Sequence, residues 1–126
     1  MRRLLIDTHA LLWWLEDPST LSVEARSAIL DARNEVLVSS ATVWEIIIKQ
    51  ALGKLDAPDD LEEAIAACRF VALPVTIPHA LAIRTLPAIH RDPFDRMLIA
   101  QAQVERLEIV TRDTAIRSYP VQSIIA

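Results

Sequence analysis

Residues 3–16 of the chain read RLLIDTHALLWWLE, and this stretch decides the fold. Its first part, Leu4 to Asp7, is a short apolar run that ends at a carboxylate, which is typical of a strand buried in a parallel sheet. Its second part, Thr8 to Glu16, predicts a helix that ends at Asp17-Pro18, because a proline disfavours helical backbone at the residue before it. The same alternation continues to residue 125 and predicts an α/β fold with a parallel sheet and helices on both faces.

Apolar spacing and turn residues divide the whole chain into such elements. The predicted strands are Leu4–Asp7, Val36–Val38, Phe70–Val75, Leu107–Thr111 and Val121–Ile125. The predicted helices are Thr8–Glu16, Ser22–Arg33, Ser40–Leu52, Asp59–Cys68, Pro78–Leu86 and Pro93–Arg106. Ser22 and Ser40 are expected to be N-caps, and Val23 and Leu30 are among the side chains available for burial. Gly53 follows a helix and predicts a left-handed C-terminal cap.

Composition limits the class of protein. The chain has 126 residues, 52% of them hydrophobic, and no linker or repeat, so residues 1–126 are expected to form a single domain with a real core. The lone Cys68 cannot form an internal disulfide, which fits a reducing compartment. No apolar run approaches the roughly 18–20 residues that cross a bilayer, so we expect no membrane association and a cytoplasmic location. A single glycine excludes the Walker loop and the dinucleotide fingerprint.

Three carboxylates stand at positions of interest in this pattern. Asp7 and Asp113 each follow a predicted strand, where a local role as the N-cap of the next helix is equally open. Glu45 lies in the second turn of its helix, past any capping position. Its simplest alternative is an exposed side chain paired with Lys49 at i+4.

The segment HRDPFDRMLIAQA (His90–Ala102) adds two more acids. Asp92 precedes Pro93 and is assigned to the N-cap of the long helix, with a supporting role at the site left open. Asp95 lies three residues later, where an acid completes a capping box or projects from the first turn as a ligand. We favour Asp95 as the ligand, because its neighbours supply the packing of the helix.

The acids are more informative together than singly. In a parallel sheet, residues that follow strands meet at the edge where ligands bind. Carboxylates about 4 Å apart repel by several kcal/mol unless a cation lies between them. Ligands that are all oxygen favour Mg²⁺, or Mn²⁺, over zinc, and such sites serve phosphodiester hydrolysis. The net charge of −4 does not exclude a nucleic-acid partner, because the acids of this one site account for it.

On these residues the chain resembles a PIN domain, and more narrowly a VapC-type ribonuclease toxin. The matching motifs are Asp7-Thr8, Ser40-x-Thr42-x-x-Glu45, HRDPFDRMLIAQA (His90–Ala102) and Thr111-Arg112-Asp113. The motifs occur in order and span nearly the whole chain. The resemblance implies a three-layer α/β/α fold whose central parallel sheet has four to five strands in the order 3-2-1-4-5.

The resemblance also implies a function, a metal-dependent endoribonuclease that requires Mg²⁺ or Mn²⁺. Its catalytic and metal-binding residues would be Asp7, Glu45, Asp95 and Asp113, supported by Thr8, Asp92 and Thr111. Such toxins typically cut tRNA or ribosomal RNA, form homodimers and are inhibited by a VapB-like antitoxin.

Other polar and aromatic residues have open roles. The basic residues near the acids are Arg91, Arg96 and Arg112, which would either contact RNA phosphates or only balance the acids. Trp13 and Trp14 cannot both face one core, so one is expected near the surface, either simply half-buried or forming a dimer or antitoxin contact. The histidines divide into His9, a candidate substrate contact, and His79 and His90, expected to make local hydrogen bonds.

Two other functions compete with the nuclease. A non-catalytic module of the same fold would bind RNA or a protein without metal, and the intact set of acids disfavours it. A phosphatase of the haloacid dehalogenase type also begins with a strand and an aspartate. That chemistry requires a second aspartate two residues after Asp7, and position 9 is histidine, so we rank it last.

Overall fold

The computed structural model describes residues 1–126, and its centre is one parallel sheet of five strands in the order β3-β2-β1-β4-β5. The strands are β1 (Arg3–Ile6), β2 (Glu35–Ser39), β3 (Val71–Leu73), β4 (Glu108–Thr111) and β5 (Ser123–Ile125). The α/β class and the strand order implied by the resemblance are therefore confirmed. Because the strands are parallel, all their carboxyl ends lie at the same edge of the sheet.

Seven α-helices connect the strands. They are α1 (Thr8–Glu16), α2 (Val23–Leu30), α3 (Ser40–Ala51), α4 (Leu61–Ala67), α5 (Ile77–Ala82), α6 (Pro93–Glu105) and α7 (Thr114–Arg117). Short 3₁₀ turns occupy Pro18–Thr20 and Ile83–Thr85. No helix is long and apolar enough to span a membrane.

Alternating side chains of the sheet build two separate cores. Leu4 and Ile6 of β1 point to one face, where they join apolar residues of α1, α2, α3 and α4. Leu5, between them, points to the other face, where residues of α6 and α7 cover it. This alternation follows from the two-residue period of a strand. It confirms the three-layer α/β/α arrangement.

The sequence placed the N-cap of α3 one residue too late. β2 pairs with β3 as far as Ser39, and the hydroxyl of Ser39 accepts the amide of Ala41 at 3.0 Å. Ser40 is instead the first helical residue, and its hydroxyl accepts the amide of Val75 at 3.1 Å. The strand therefore runs directly into the helix, with no separate capping residue between them.

The predicted second helix was too long. α2 begins after the expected N-cap, Ser22, but ends at Leu30 because Asp31 adopts an extended backbone and accepts the amide of Arg33 in a turn. Val23 and Leu30, which were available for burial, lie mostly in solvent.

Other element bounds shift by a few residues. β3 covers three residues of the predicted Phe70–Val75, because only these pair with β2. α5 begins at Ile77, after the N-cap Thr76, and gives way to a 3₁₀ turn. α4 begins at Leu61, and α6 ends at Glu105.

Gly53 terminates α3 as predicted. Its φ of 68° lies in the left-handed region. The amide of Gly53 donates to the carbonyl of Gln50, and that of Lys54 donates to Lys49. These two bonds are those of a Schellman motif, which favours glycine because it has no Cβ.

Candidate metal centre

The carboxyl edge of the sheet gathers acids from four different elements. Asp7 directly follows β1, and Asp113 follows β4, the neighbouring strand. Glu45 comes from the second turn of α3, and Asp95 from the first turn of α6. Mutual repulsion links these positions: Asp113 acts on Asp7, and both Glu45 and Asp113 act on Asp95. The residues singled out in the sequence therefore meet in one place.

Asp95, Asp113 and His90 form the tightest group within this cluster. The Nε2 atom of His90 lies 2.9 Å from Oδ2 of Asp95 and 3.0 Å from Oδ2 of Asp113. Nδ1 of the same ring accepts the amide of Asp92 at 3.2 Å, so the proton of the neutral ring resides on Nε2. One potential ligand atom from each of the three residues lies within 4.8 Å of the others. The carboxylates of Asp95 and Asp113 are thus held at a spacing suited to a single cation.

His90 was assigned only local hydrogen bonds from the sequence. It does make such a bond, to Asp92, but its other nitrogen also faces both carboxylates. The turn that positions it precedes α6, and a phenolic oxygen from Tyr119 accepts its backbone amide at 2.8 Å. The available signal was its place in the same short block as Asp95.

Glu45 is buried, contrary to its description as an exposed partner of Lys49. Its Oε1 accepts the hydroxyl of Thr8 at 2.6 Å, and its Oε2 lies 2.7 Å from the ammonium of Lys49. Only 4% of the side chain is exposed, compared with 33% for Lys49. The i+4 pair is therefore present, but it extends into the site rather than into solvent.

Thr111 connects the acids that follow the two central strands. Its hydroxyl accepts the amide of Asp113 at 3.0 Å and hydrogen-bonds Asp7. Asp7 also caps α1, with Oδ1 accepting the amide of Ala10 at 2.8 Å. Burial raises the pKa of Asp7, while the bonds from Thr111 and Ala10 act in the opposite direction. The capping role and the membership in the cluster are therefore compatible.

Asp95 carries the strongest sign of excess negative charge. Burial, together with repulsion from Asp92, Glu45 and Asp113, raises the pKa of Asp95 to about 7, although His90 acts in the opposite direction. A carboxyl group that holds its proton near neutrality is in an environment that would favour a cation.

Asp113 behaves differently because its surroundings stabilise the charge. Burial alone would raise the pKa of Asp113, but hydrogen bonds from His90 and from the amides of Ile116 and Ala115 hold it below its usual value. The latter two bonds make Asp113 the N-cap of α7. The site thus contains one readily ionised carboxylate beside one that resists ionisation.

This donor set fits a hard divalent cation. Asp95 and Asp113 supply anionic oxygens at one point, and Asp7 and Glu45 add negative charge around it. Carboxylate oxygens suit Mg²⁺ and Mn²⁺, whereas the Nε2–H of His90 faces these oxygens as a donor and is not a ligand in this tautomer. The accumulated charge of the acids is itself the reason that a cation would stabilise the arrangement.

Asp92 acts as the N-cap of α6. Its Oδ1 accepts the amides of Phe94 and Asp95 at 2.8 and 3.2 Å. The reciprocal half of a capping box is absent, because the amide of Asp92 donates to His90. The side chain of Asp95 therefore takes no part in the cap, and its carboxylate faces His90.

The three arginines near the acids differ in their surroundings. Arg96 donates to the carbonyls of Pro87 and His90 and so ties down the segment before α6. Arg112 stacks over Trp13, with 4.2 Å between the guanidinium and the ring centroid, and donates to the carbonyl of Ala126. The side chain of Arg91 is exposed and forms no ion pair.

Trp13, Trp14 and His79 are not part of the acidic cluster, whereas the charge of His9 acts on Asp7. Trp13 and Trp14 are both half-buried, Trp13 against His9 and Trp14 against Phe70. Trp14 also lines an open, mainly apolar cavity of about 430 Å³. His79 is buried and makes the predicted local bonds, accepting the amide of Thr76 at 3.0 Å.

The comparisons with known proteins all point to one family. The model of the PIN domain family matches residues 4–122. Ribonuclease VapC22 of Mycobacterium tuberculosis is 28% identical over 123 residues, which cover 94% of this chain and 93% of that protein. A shorter match of 36 residues, 47% identical, links the chain to ribonuclease VapC16 of the same organism and covers 29% of this chain and 26% of that protein.

Solved structures agree on the fold. VapBC2 from Rickettsia felis, bound to a DNA fragment from its promoter, aligns with a TM-score of 0.71 at 13% identity, and the match covers 97% of both chains. DNA-bound VapBC from Salmonella typhimurium aligns with a TM-score of 0.68 at 17% identity and covers 98% of both. At such low identity these likenesses establish the architecture alone.

Proposed function

Because this chain belongs to the PIN domain family, we propose that it is a divalent-metal-dependent endoribonuclease, the toxin of a VapBC-type toxin–antitoxin pair. The observation that supports this most is the convergence of Asp7, Glu45, Asp95 and Asp113 at one edge of the sheet. The relatives named ribonuclease VapC support the choice of RNA as substrate. Within that class we expect tRNA or ribosomal RNA, and such a substrate places the activity in the cytoplasm.

We assign the cation to Asp95 and Asp113, with the ring of His90 against both carboxylates and with Asp7 and Glu45 beside them. When bound, Mg²⁺ or Mn²⁺ lowers the pKa of an attacking water and offsets the charge of the phosphate. The protein supplies orientation. The hydroxyl of Thr111 fixes Asp113 relative to Asp7.

Two side chains orient Glu45, the acid contributed by α3. Thr8 and Lys49 each hold one oxygen of Glu45, so this carboxylate has a single preferred position. The caps at Asp7, Asp92 and Asp113 direct the amino ends of α1, α6 and α7 toward the site. Such ends carry partial positive charge, which favours anions nearby.

For the partners we propose a VapB-like antitoxin and a second copy of the chain. The solved relatives titled as VapBC complexes support the antitoxin. The cavity beside Trp14 offers it an apolar surface that includes Leu30 and Phe70. Leu30 is 71% exposed and so is accessible to a partner. A small reading frame beside the gene, encoding a DNA-binding start and an amphipathic tail, would support this assignment.

The test is cleavage by the purified protein of total tRNA and of ribosomal RNA, with Mg²⁺, with Mn²⁺ and with EDTA. We expect cleavage that requires the metal and is abolished in Asp95→Asn and Asp113→Asn. Both substitutions keep the size of the side chain, and circular dichroism verifies the fold. If both variants still cleave RNA, the proposed mechanism is refuted. If the protein binds RNA without metal and does not cleave it, the result favours a non-catalytic module.

A further inference from the structure

We propose that Lys49 is a resident cation of the carboxylate site, which neutralises Glu45 and presents its ammonium group to the phosphate of bound RNA. This inference rests on the proposed nuclease function. It adds a positively charged residue to a site whose recognised members are acids, and it assigns that residue a contact with the substrate.

The position of Lys49 is the first observation. Its Nζ lies 2.7 Å from Oε2 of Glu45, one turn back along α3. The negative charges of Asp92 and Asp95 also act on it, and together with the bond to Glu45 they raise the pKa of Lys49. The ammonium group therefore lies on the Glu45 side of the site, in contact with one of its acids.

The second observation is that Glu45 already has two partners. Thr8 donates to one oxygen and Lys49 to the other. The carboxylate is 4% exposed, so without Lys49 it would be a buried and uncompensated charge. Lys49 therefore neutralises the Glu45 side of the site, whereas the Asp95 and Asp113 side has no fixed ammonium or guanidinium partner.

The third observation concerns the capacity of Lys49 to bind more. An ammonium group has three donors, and one is used by Glu45. A third of the side chain remains exposed, so a ligand in the site can reach it. Arg96 and Arg112 donate to backbone carbonyls instead. Lys49 is thus placed to meet a non-bridging phosphate oxygen beside the cation.

The experiment is a charge cycle on the pair, read by Mg²⁺ affinity in calorimetry at pH 8 and by RNA cleavage. Lys49→Met leaves one more negative charge, so we expect Mg²⁺ to bind about 3–10 times more tightly. Glu45→Gln leaves one more positive charge and should weaken Mg²⁺ binding by a similar factor. The double variant Glu45→Gln/Lys49→Met restores the balance, and its affinity should return close to that of the wild type.

Cleavage should change in a different way. Lys49→Met loses the phosphate contact, so its kcat/KM should fall about tenfold or more although Mg²⁺ binds more tightly. For the same reason the double variant should cleave more slowly than Glu45→Gln alone. Lys49→Arg keeps the charge and should recover part of the loss. Lys54→Met removes an exposed lysine of the same chain and serves as the matched control, with affinity and cleavage unchanged.

Two results would overturn the proposal: Mg²⁺ affinity in Lys49→Met equal to or below that of the wild type, or cleavage by the double variant equal to that of Glu45→Gln. The double variant contains no unpaired buried charge, so the proposal stays testable even if Lys49→Met fails to fold. A wild-type protein that neither binds Mg²⁺ nor cleaves RNA would overturn the nuclease function and this inference together. Mg²⁺-dependent cleavage by the wild type separates the two cases.

Discussion

Asp95 is an acid whose ionised form the fold strongly disfavours. Its side chain is 18% exposed and lies close to other acids, and its pKa rises from 3.8 to about 7. A group that prefers its proton in the folded state destabilises the fold whenever the solution removes that proton. In the metal-free protein this cost is absent below pH 4, accumulates between pH 4 and 7, and is complete above pH 7.

We therefore expect Asp95→Asn to stabilise the metal-free protein at pH 8, by about 1–2 kcal/mol after allowance for solvent screening. The gain should disappear at pH 4, where the wild-type carboxyl group is protonated. Urea unfolding in EDTA at the two pH values measures both quantities. An equal effect of the substitution at both pH values would refute the electrostatic explanation.

Single residues also show where inference from sequence succeeds and where it fails. All four acids were named from their places relative to predicted strands and helices, because parallel topology determines which ends meet. The burial of Glu45 was missed, since it depends on Thr8, which lies 37 residues away along the chain. The two-sided contact of His90 was missed for the same reason, because Asp113 lies 23 residues away along the chain.

Helices and strands were predicted correctly in kind, but their ends were placed less well. α2 stops early because of a turn at Asp31, and β2 continues to Ser39 because a neighbouring strand pairs with it. Both ends depend on partners that the local pattern does not contain. The end of α3 at Gly53 was located correctly, because only a glycine readily adopts that backbone.

The N-cap of α6 gives a prediction at this scale. Asp92→Ala removes the acceptor for two amides of the turn that carries Asp95, so we expect a loss of about 0.5–2 kcal/mol in stability and weaker metal binding. Asp92→Ser retains an acceptor but no charge, and should recover the stability. Chemical unfolding and calorimetry with Mg²⁺ distinguish the two effects. If Asp92→Ser abolishes Mg²⁺ binding in a stable protein, Asp92 is itself a ligand.

Gly53 gives a second prediction. Its φ of 68° is unfavourable for other residues, although no atom lies within 4 Å of where a Cβ would be placed. Gly53→Ala should therefore cost about 1 kcal/mol through backbone strain alone. The melting temperature should fall by a few degrees, while RNA cleavage at 25 °C stays unchanged. A much larger loss of stability would mean that the added methyl group clashes with a neighbouring atom, which the open space around Gly53 does not predict.

The whole molecule has to form before the site exists. Asp7 and Asp113 lie near opposite ends of the chain, and the pairing of β1 with β4 brings them together. The strand order was available from the resemblance, but the distances within the site depend on packing between layers. Binding of the proposed cation would consequently be linked to global folding, because the unfolded chain holds these acids far apart.

Mg²⁺ should accordingly stabilise the wild-type fold. At a concentration 100 times its dissociation constant it adds about 2.7 kcal/mol, which corresponds to a rise of several degrees in melting temperature. Scanning calorimetry with and without MgCl₂ measures the rise, with NaCl at matched ionic strength as the control. The double variant Asp95→Asn/Asp113→Asn should show no rise. An equal rise in that variant would place the ion elsewhere.

The helix caps at Asp7 and Asp113 have a genetic consequence. An asparagine presents the same acceptor oxygen to a helix as an aspartate does, and differs from it by one nucleotide in either codon. Loss of the charge therefore leaves the architecture in place. On the proposed function, we expect a folded copy of this protein without nuclease activity to lie a single point mutation away.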